Sequence, residues 1–296
     1  MITEGESAQP SFSPDGERLI FVSANRVGHS LPQVYEKNLS TGAERRITYQ
    51  SGQTSRPTYH PKLNMIAYAS STDEWREQPP RNIPDPTPSK LPGEYQALFE
   101  VYVHNLNALD ISRLSKHSGF DGEPHFHRDG SLTYTQAGKE ALEVVSIKPY
   151  GAGNQVLSRL GKNVSSYVSS ADGKVMAWLE WDKEFQKSIL KVQKAKAKIF
   201  DTKADTNLLK QDLELSADGQ WLFWSQTDNK GLSSIWVMDT ETYCPRMLIG
   251  DEKVSVRHPT LSPHQKTLAY THLAQSRSRI AWRTFSLPSG SCPTGL

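Results

Sequence analysis

Short apolar runs of three or four residues recur along the chain, and each is entered through a polar turn. They are Leu19-Ile20-Phe21-Val22, Met65-Ile66-Ala67-Tyr68, Leu132-Thr133-Tyr134, Val175-Met176-Ala177-Trp178, Trp221-Leu222-Phe223-Trp224 and Thr267-Leu268-Ala269-Tyr270. Runs this short, rich in β-branched and aromatic residues and bounded by Pro, Asp and Gly, predict strands rather than helices. The most complete turn is Pro10-Ser11-Phe12-Ser13-Pro14-Asp15-Gly16. Its Asp can bond its own backbone and its Gly accepts a positive φ, so the stretch and the run after it form a hairpin.

Weaker copies of the hairpin start at Pro57, Pro124, Tyr167, Asp212 and Pro259. With positions 16, 63, 130, 173, 219 and 265 taken as equivalent, the intervals are 47, 67, 43, 46 and 46 residues. A third strand follows each hairpin, as in Val34 to Leu39 or Ile235 to Met238, and a short fourth follows in most copies, as in Glu44 to Ile47. A repeat of roughly 40–50 residues built from four short strands is the pattern of a β-propeller, because one such unit cannot bury both faces alone. The expected fold is all-β: a six-bladed β-propeller of four-stranded antiparallel blades, with residues 1–296 as one domain.

The long interval holds an insertion over 73–98 between the second and third strands of blade two, carrying Pro79, Pro80, Pro84, Pro86, Pro88 and Pro92. Such composition favours extended polyproline II, which suits a lid or a docking arm. Cys292 to Leu296 reads as the outer strand of blade six, so ring closure through C-terminal residues is expected. Ile2-Thr3 precedes Pro10 much as Ile47-Thr48 precedes Pro57, so the chain starts at a strand end and a shortened or mature form is expected. Cys244 and Cys292 occupy matching segments of neighbouring blades, too far apart for a disulfide if both sit on outer strands; two free thiols are expected.

Charge narrows the partners. The 296 residues carry 34 basic and 32 acidic side chains, a net charge of +2, which provides no electrostatic footprint for nucleic acid or an anionic membrane. No apolar run approaches the length of a membrane span, and Met1 to Gly5 lacks the basic and apolar regions of a leader. A basic stretch in blade four, from Lys183 to Lys203, reads as a solvated edge where lysines discourage strand pairing.

Ser11-Phe12-Ser13-Pro14-Asp15-Gly16 matches the PD40 (WD40-like) repeat, and the degraded copies follow it in register. The chain resembles the TolB-like six-bladed propellers of bacterial envelope proteins, without the additional N-terminal domain of TolB proper. Gly119-Phe120-Asp121-Gly122-Glu123-Pro124 and the blade-two insertion look like a secreted subgroup. The resemblance implies a periplasmic or otherwise extracytoplasmic location. It says little about activity, because one fold hosts many functions.

Alternating strand direction puts the loops joining consecutive blades on the same face as those joining strands two and three. Residues just before each inner strand then rim the channel: Gln9, Arg56, Glu123, Ser166, Gln211 and His258, with Ser55, Asp121, Gly122, Lys210 and Arg257 beside them. The insertion projects on this face, with Trp75, Tyr95 and Phe99 as its anchors. His125 and His127 share one side of a strand and are a candidate metal pair, although Glu123 and His127 stand roughly 13 Å apart on a straight strand at about 3.4 Å per residue.

Nucleophile-elbow, P-loop and His-Glu-x-x-His patterns are absent. No catalytic residue and no cofactor is assigned. The leading reading is a non-enzymatic, monomeric propeller scaffold that binds a protein or peptide partner through the channel-mouth face. The alternative is a channel-mouth enzyme or receptor for a small polar or glycan-like ligand, possible through Arg56, Glu123, His125 and His258, as in propeller lyases that use His, Arg and a metal.

Overall fold

The computed structural model describes residues 1–73, 91, 95, 98–108, 110–116, 119–137, 141–148, 153–157, 160–195, 199–201, 208–275, 277–287 and 292. Blade one is β1 (Glu6–Phe12), β2 (Arg18–Ala24), β3 (Gln33–Asn38) and β4 (Glu44–Arg46). Blade two is β5 (Thr54–Tyr59), β6 (Met65–Ser70), β7 (Glu100–Asn105) and β8 (Asp110–Arg113). Blade three is β9 (Asp121–Phe126), β10 (Leu132–Ala137), β11 (Leu142–Ile147) and β12 (Gln155–Val156). Blade four is β13 (Val164–Ser169), β14 (Val175–Trp181), β15 (Ser188–Lys194) and β16 (Phe200–Asp201). Blade five is β17 (Leu209–Leu215), β18 (Trp221–Thr227), β19 (Ser233–Asp239) and β20 (Cys244–Ile249), and blade six is β21 (Ser255–Leu261), β22 (Thr267–Ala274) and β23 (Arg277–Thr284).

Each blade is an antiparallel meander, and the inner strands β1, β5, β9, β13, β17 and β21 neighbour one another in cyclic order. The expected six-bladed propeller is therefore the observed fold. Its core lies between blades. Met65, Ala67, Val101 and Val103 of blade two, for example, pack on Phe126, Leu132, Tyr134 and Val145 of blade three. Alternation along β7 sends Tyr102 the other way, onto Ile20, Val22 and Val34 of blade one.

The turns explain the repeat. In blades one, three, four and five the Gly of the turn has φ of 74°, 84°, 70° and 75°, and in blade six Gln265 takes the same conformation at 56°. Ser13, Ser170 and Ser216 each hydrogen-bond the turn Asp two residues on, namely Asp15, Asp172 and Asp218. The side chain thus holds the hairpin before any tertiary contact forms.

Two expectations are corrected at the ring closure. The N-terminus, not the C-terminus, occupies the outer position of blade six: Ile2 N–H donates to the Ile280 carbonyl at 2.8 Å and Ile280 N–H to the Ile2 carbonyl at 3.3 Å. Ile2 is buried among Leu19, Phe21, Tyr35 and Ala269, so the apolar contact fixes the pairing. With that edge filled, Phe285 and Cys292, both after β23, lie against blade five instead. Cys292 there forms a disulfide with Cys244, their Cα atoms 5.6 Å apart, so the cysteines are not free thiols. They do not occupy equivalent outer strands, which was the premise for keeping them apart.

Candidate functional site

Every inner strand carries one non-glycine residue in the left-handed region: Gln9 (φ 56°), Arg56 (51°), Glu123 (55°), Ser166 (53°), Asp212 (55°) and His258 (53°). The ladder to the second strand shifts register there in all six blades. A β-bulge of this kind turns a side chain that would lie between blades toward the axis. Six bulges make one ring of inward side chains around a channel cavity of about 110 Å³. Backbone held at positive φ costs energy, of order 1–3 kcal/mol per non-glycine residue, so the ring persists only because its neighbours bind it.

Those bonds run from blade to blade. Gln9 Oε1 accepts the Arg56 N–H at 2.7 Å and the Ser55 hydroxyl at 3.1 Å. Ser166 N–H donates to Glu123 Oε2 at 3.0 Å, and Ser166 Oγ to Glu123 Oε1 at 2.9 Å. Thr135 adds a bond to Glu123 at 2.7 Å. The His258 N–H goes to Ser225 Oγ and the Gln9 N–H to Thr271 Oγ1, each a hydroxyl on the second strand of the preceding blade.

The ring also has an ionic centre. Arg56 of blade two reaches past the axis to Asp212 of blade five, its Nη2 lying 2.6 Å from Oδ1, and stands 3.6 Å from Glu123 Oε1. Arg257 grips the same aspartate with Nε at 2.9 Å and Nη2 at 3.2 Å, and His258 Nε2 is 3.5 Å from Oδ1. Burial alone would raise the Asp212 pKa, but the Arg257 and Arg56 guanidiniums outweigh it and hold the carboxyl well below the usual carboxylate range. Burial drives His258 down to about 3, more than Asp212 restores, so the imidazole is neutral at physiological pH and the two arginines supply the neutralising charge.

Arg56, Glu123, Arg257 and His258 are thus brought together as the sequence predicts, and Gln9 joins them through Arg56. Gln211 is not in the ring; Asp212 takes the blade-five position. Asp121 is fully buried and accepts from Gln136 Nε2 at 3.0 Å, away from the residues that line the cavity. Asp212 lies seven residues before Gly219, the same interval that separates Gln9, Glu123 and Ser166 from their turn glycines, so the signal was present.

Beneath the ring, His125 and Glu214 occupy equivalent places. His125 is hydrogen-bonded to the Ser169 main chain, and burial followed by the nearby His127 lowers its pKa to about 3. The two rings are 5.1 Å apart, but His127 Nδ1 meets Ser169 Oγ at 2.7 Å and Nε2 meets Thr133 Oγ1 at 2.9 Å. Both nitrogens of His127 are engaged, and no group of three metal-capable side chains occurs among the described residues. Glu214 accepts from Thr260 Oγ1 at 3.1 Å, and burial pushes it up to about 7.

A raised carboxyl destabilises the fold as it ionises. The unfolded chain releases the Glu214 proton near pH 4.3 and the folded chain near 7, so the penalty is absent below about pH 4 and complete above about 7. Glu214→Gln, which mimics the protonated acid, is expected to stabilise the protein by up to about 3 kcal/mol at pH 8 and by little at pH 4. Urea unfolding at the two pH values measures it; a gain that does not grow with pH would show that Glu214 is not held protonated.

Of the insertion, Trp75 lies outside the described residues. Leu91, Tyr95 and Phe99 are buried with Phe120, Ala137, Leu142, Trp181 and Phe185 on the mouth face of blades two to four. The Tyr95 hydroxyl is 3.4 Å from Glu123 Oε1 and 3.1 Å from Ser165 Oγ, and its ring meets Phe120 and Trp181 edge-on. Tyr95 and Phe99 are therefore packed into the fold and do not face solvent. In blade four, Lys191 pairs with Asp201 and Glu180, and Lys194 with Glu241; Lys196, Lys198 and Lys203 lie outside the described residues.

No family model matches the sequence. Among solved structures the chain is similar to TolB from Acinetobacter baumannii, with 18% identity over 86% of this chain, 57% of that chain and a TM-score of 0.66. It thus spans little more than half the length of that protein. A TolB-like protein from Agrobacterium tumefaciens matches with 12% identity over 96% of this chain and 92% of that one, TM-score 0.63. The oligogalacturonate lyase of Vibrio parahaemolyticus matches with 13% identity over 95% and 78%, TM-score 0.60. At these identities the likeness is one of fold, and the chain folds as a TolB-like six-bladed β-propeller.

Proposed function

We propose that the protein is a non-enzymatic propeller scaffold that binds a protein or peptide partner on the mouth face, beside the Pro-rich insertion. The observation that carries this reading is the closed ionic centre. Arg56 and Arg257 are committed to Asp212, Glu123 is bound by Ser166 and Thr135, and His258 is held neutral far below the range of a working base. What faces outward is a charge-balanced platform beside the packed side chains of Leu91, Tyr95 and Phe99, which suits docking better than turnover. The likeness to TolB agrees with a scaffold role, and the disulfide agrees with a periplasmic or otherwise extracytoplasmic location, where such bonds persist.

A second reading has one observation in its favour. Arg56 and Arg257 converge on the single carboxylate of Asp212, so a ligand carboxylate could compete with Asp212 for them at the mouth. The likeness to a lyase of acidic sugars is compatible with that. The two readings separate in one experiment: pull-down from envelope extract with the intact chain, a form with residues 74–97 replaced by a short Gly-Ser linker, and a Lys62→Glu/Lys174→Glu control on the opposite face. A partner retained by the intact chain and the control but lost with the shortened form is expected. Equal capture by all three would rule out the mouth face as the docking surface and leave the small-ligand reading.

A further inference from the structure

A second concavity opens on the flank of the ring, between the outer part of blade one and the face of blade two, with a volume of about 640 Å³. That lies within the range of small-molecule sites. Its walls combine Ile47, Leu106 and Ile111 with Arg45, Arg46, Tyr49, His104 and Arg113. Two features distinguish it from an ordinary inter-blade crevice.

The first is His104. It is 4% exposed, yet among the described residues neither ring nitrogen has a hydrogen-bond partner. Burial lowers its pKa, so the ring presents one donor and one acceptor rather than a charge. A buried imidazole without partners costs free energy that a ligand with a polar atom would restore. The second feature is the distribution of charge. Arg45 is held by Glu36 at 2.7 Å, and Arg113 by Glu100 at 2.6 Å and Asp73 at 3.1 Å. Arg46 donates, among the described residues, only its Nε, to the Thr48 carbonyl, and its guanidinium lies 4.4 Å from the Tyr49 ring centre. Among the described residues Arg46 pairs with no carboxylate, and its guanidinium offers a planar fork that matches one.

We propose that this flank cleft binds the end of an acyl amino acid: a carboxylate paired with Arg46, an amide hydrogen-bonded to His104, and an aliphatic side chain against Ile47, Leu106 and Ile111. A peptide C-terminus and a free N-acyl amino acid share that chemistry. The site is separate from the channel mouth, so it stands or falls independently of the scaffold reading.

The test follows the imidazole resonances of His104 in histidine-labelled protein by two-dimensional NMR. N-acetyl-leucine, N-acetyl-leucinamide and N-acetyl-alanyl-leucine are titrated into the millimolar range. The acids are expected to shift the His104 signals saturably, and the neutral amide to bind at least tenfold more weakly, the loss of one charge-assisted bidentate contact. Arg46→Gln should cost a similar factor. His104→Phe, which fills the same space without polar atoms, should remain folded and weaken acid binding about tenfold, followed through the Tyr49 ring signals. Tighter binding of the dipeptide identifies a peptide end as the natural ligand, and equal binding a free acyl amino acid. Absence of a saturable shift, equal binding of acid and amide, or unchanged affinity in either variant overturns the proposal.

Discussion

Asp212→Ala is expected to lower the stability of the propeller by about 3–5 kcal/mol, the cost of leaving buried cations without their counter-charge. Three blades meet on this side chain: Arg56 comes from blade two, Asp212 from blade five, and Arg257 and His258 from blade six. Part of the loss is local, because alanine tolerates the left-handed backbone at φ 55° poorly. Asp212→Asn separates the contributions, since Asn accepts that conformation and keeps the shape while losing the charge. Arg56→Ala should cost less than Asp212→Ala, because Arg257 still neutralises the aspartate. Urea midpoints at pH 7 measure all three, and a loss below about 1 kcal/mol for Asp212→Ala would show that the network adds nothing net. The sign with pH follows from the lowered pKa: the Asp212 contribution is complete above about pH 4 and fades as acid protonates the folded carboxylate.

The fold was legible because its information is local and repeated. A serine that bonds the turn aspartate, a residue that accepts positive φ, and a short apolar run specify one hairpin, and six hairpins in register specify a ring. Ring closure was not legible, since Ile2 and the segment around Cys292 both read as strand ends, and only the packing of Ile2 between blades one and six decides between them. The site was legible in type but not in register at one blade. Gln9, Arg56, Glu123 and His258 each precede a proline, whereas Asp212 precedes Leu213, and the eye settles on Gln211 instead. That single step hides the carboxylate on which the ionic centre depends. His104 carries no pattern of its own; its significance arises from lost hydrogen-bond partners, a property of packing alone.

Reduction of the Cys244–Cys292 disulfide is expected to cost about 4 kcal/mol, the chain-entropy value for a loop of this size, within a usual range of roughly 2–5. The crosslink spans 48 residues and runs from the first residue of β20 in blade five to the segment after β23 in blade six. It therefore bridges the blade interface next to the closure, where the non-covalent latch is the Ile2–Ile280 pair. Opening the disulfide leaves that latch and the apolar contacts of Ile2 to hold blade six. Cys292→Ser should match the reduced wild type in urea midpoint, and adding reductant to the variant should change nothing further. If reductant leaves the wild-type midpoint unmoved, the bond does not constrain the unfolded chain and the closure is carried by packing alone. A loss of the expected size would instead tie the stability of the ring to an oxidising compartment, since thiols are kept reduced in the cytosol and the same chain there would lack its covalent clasp.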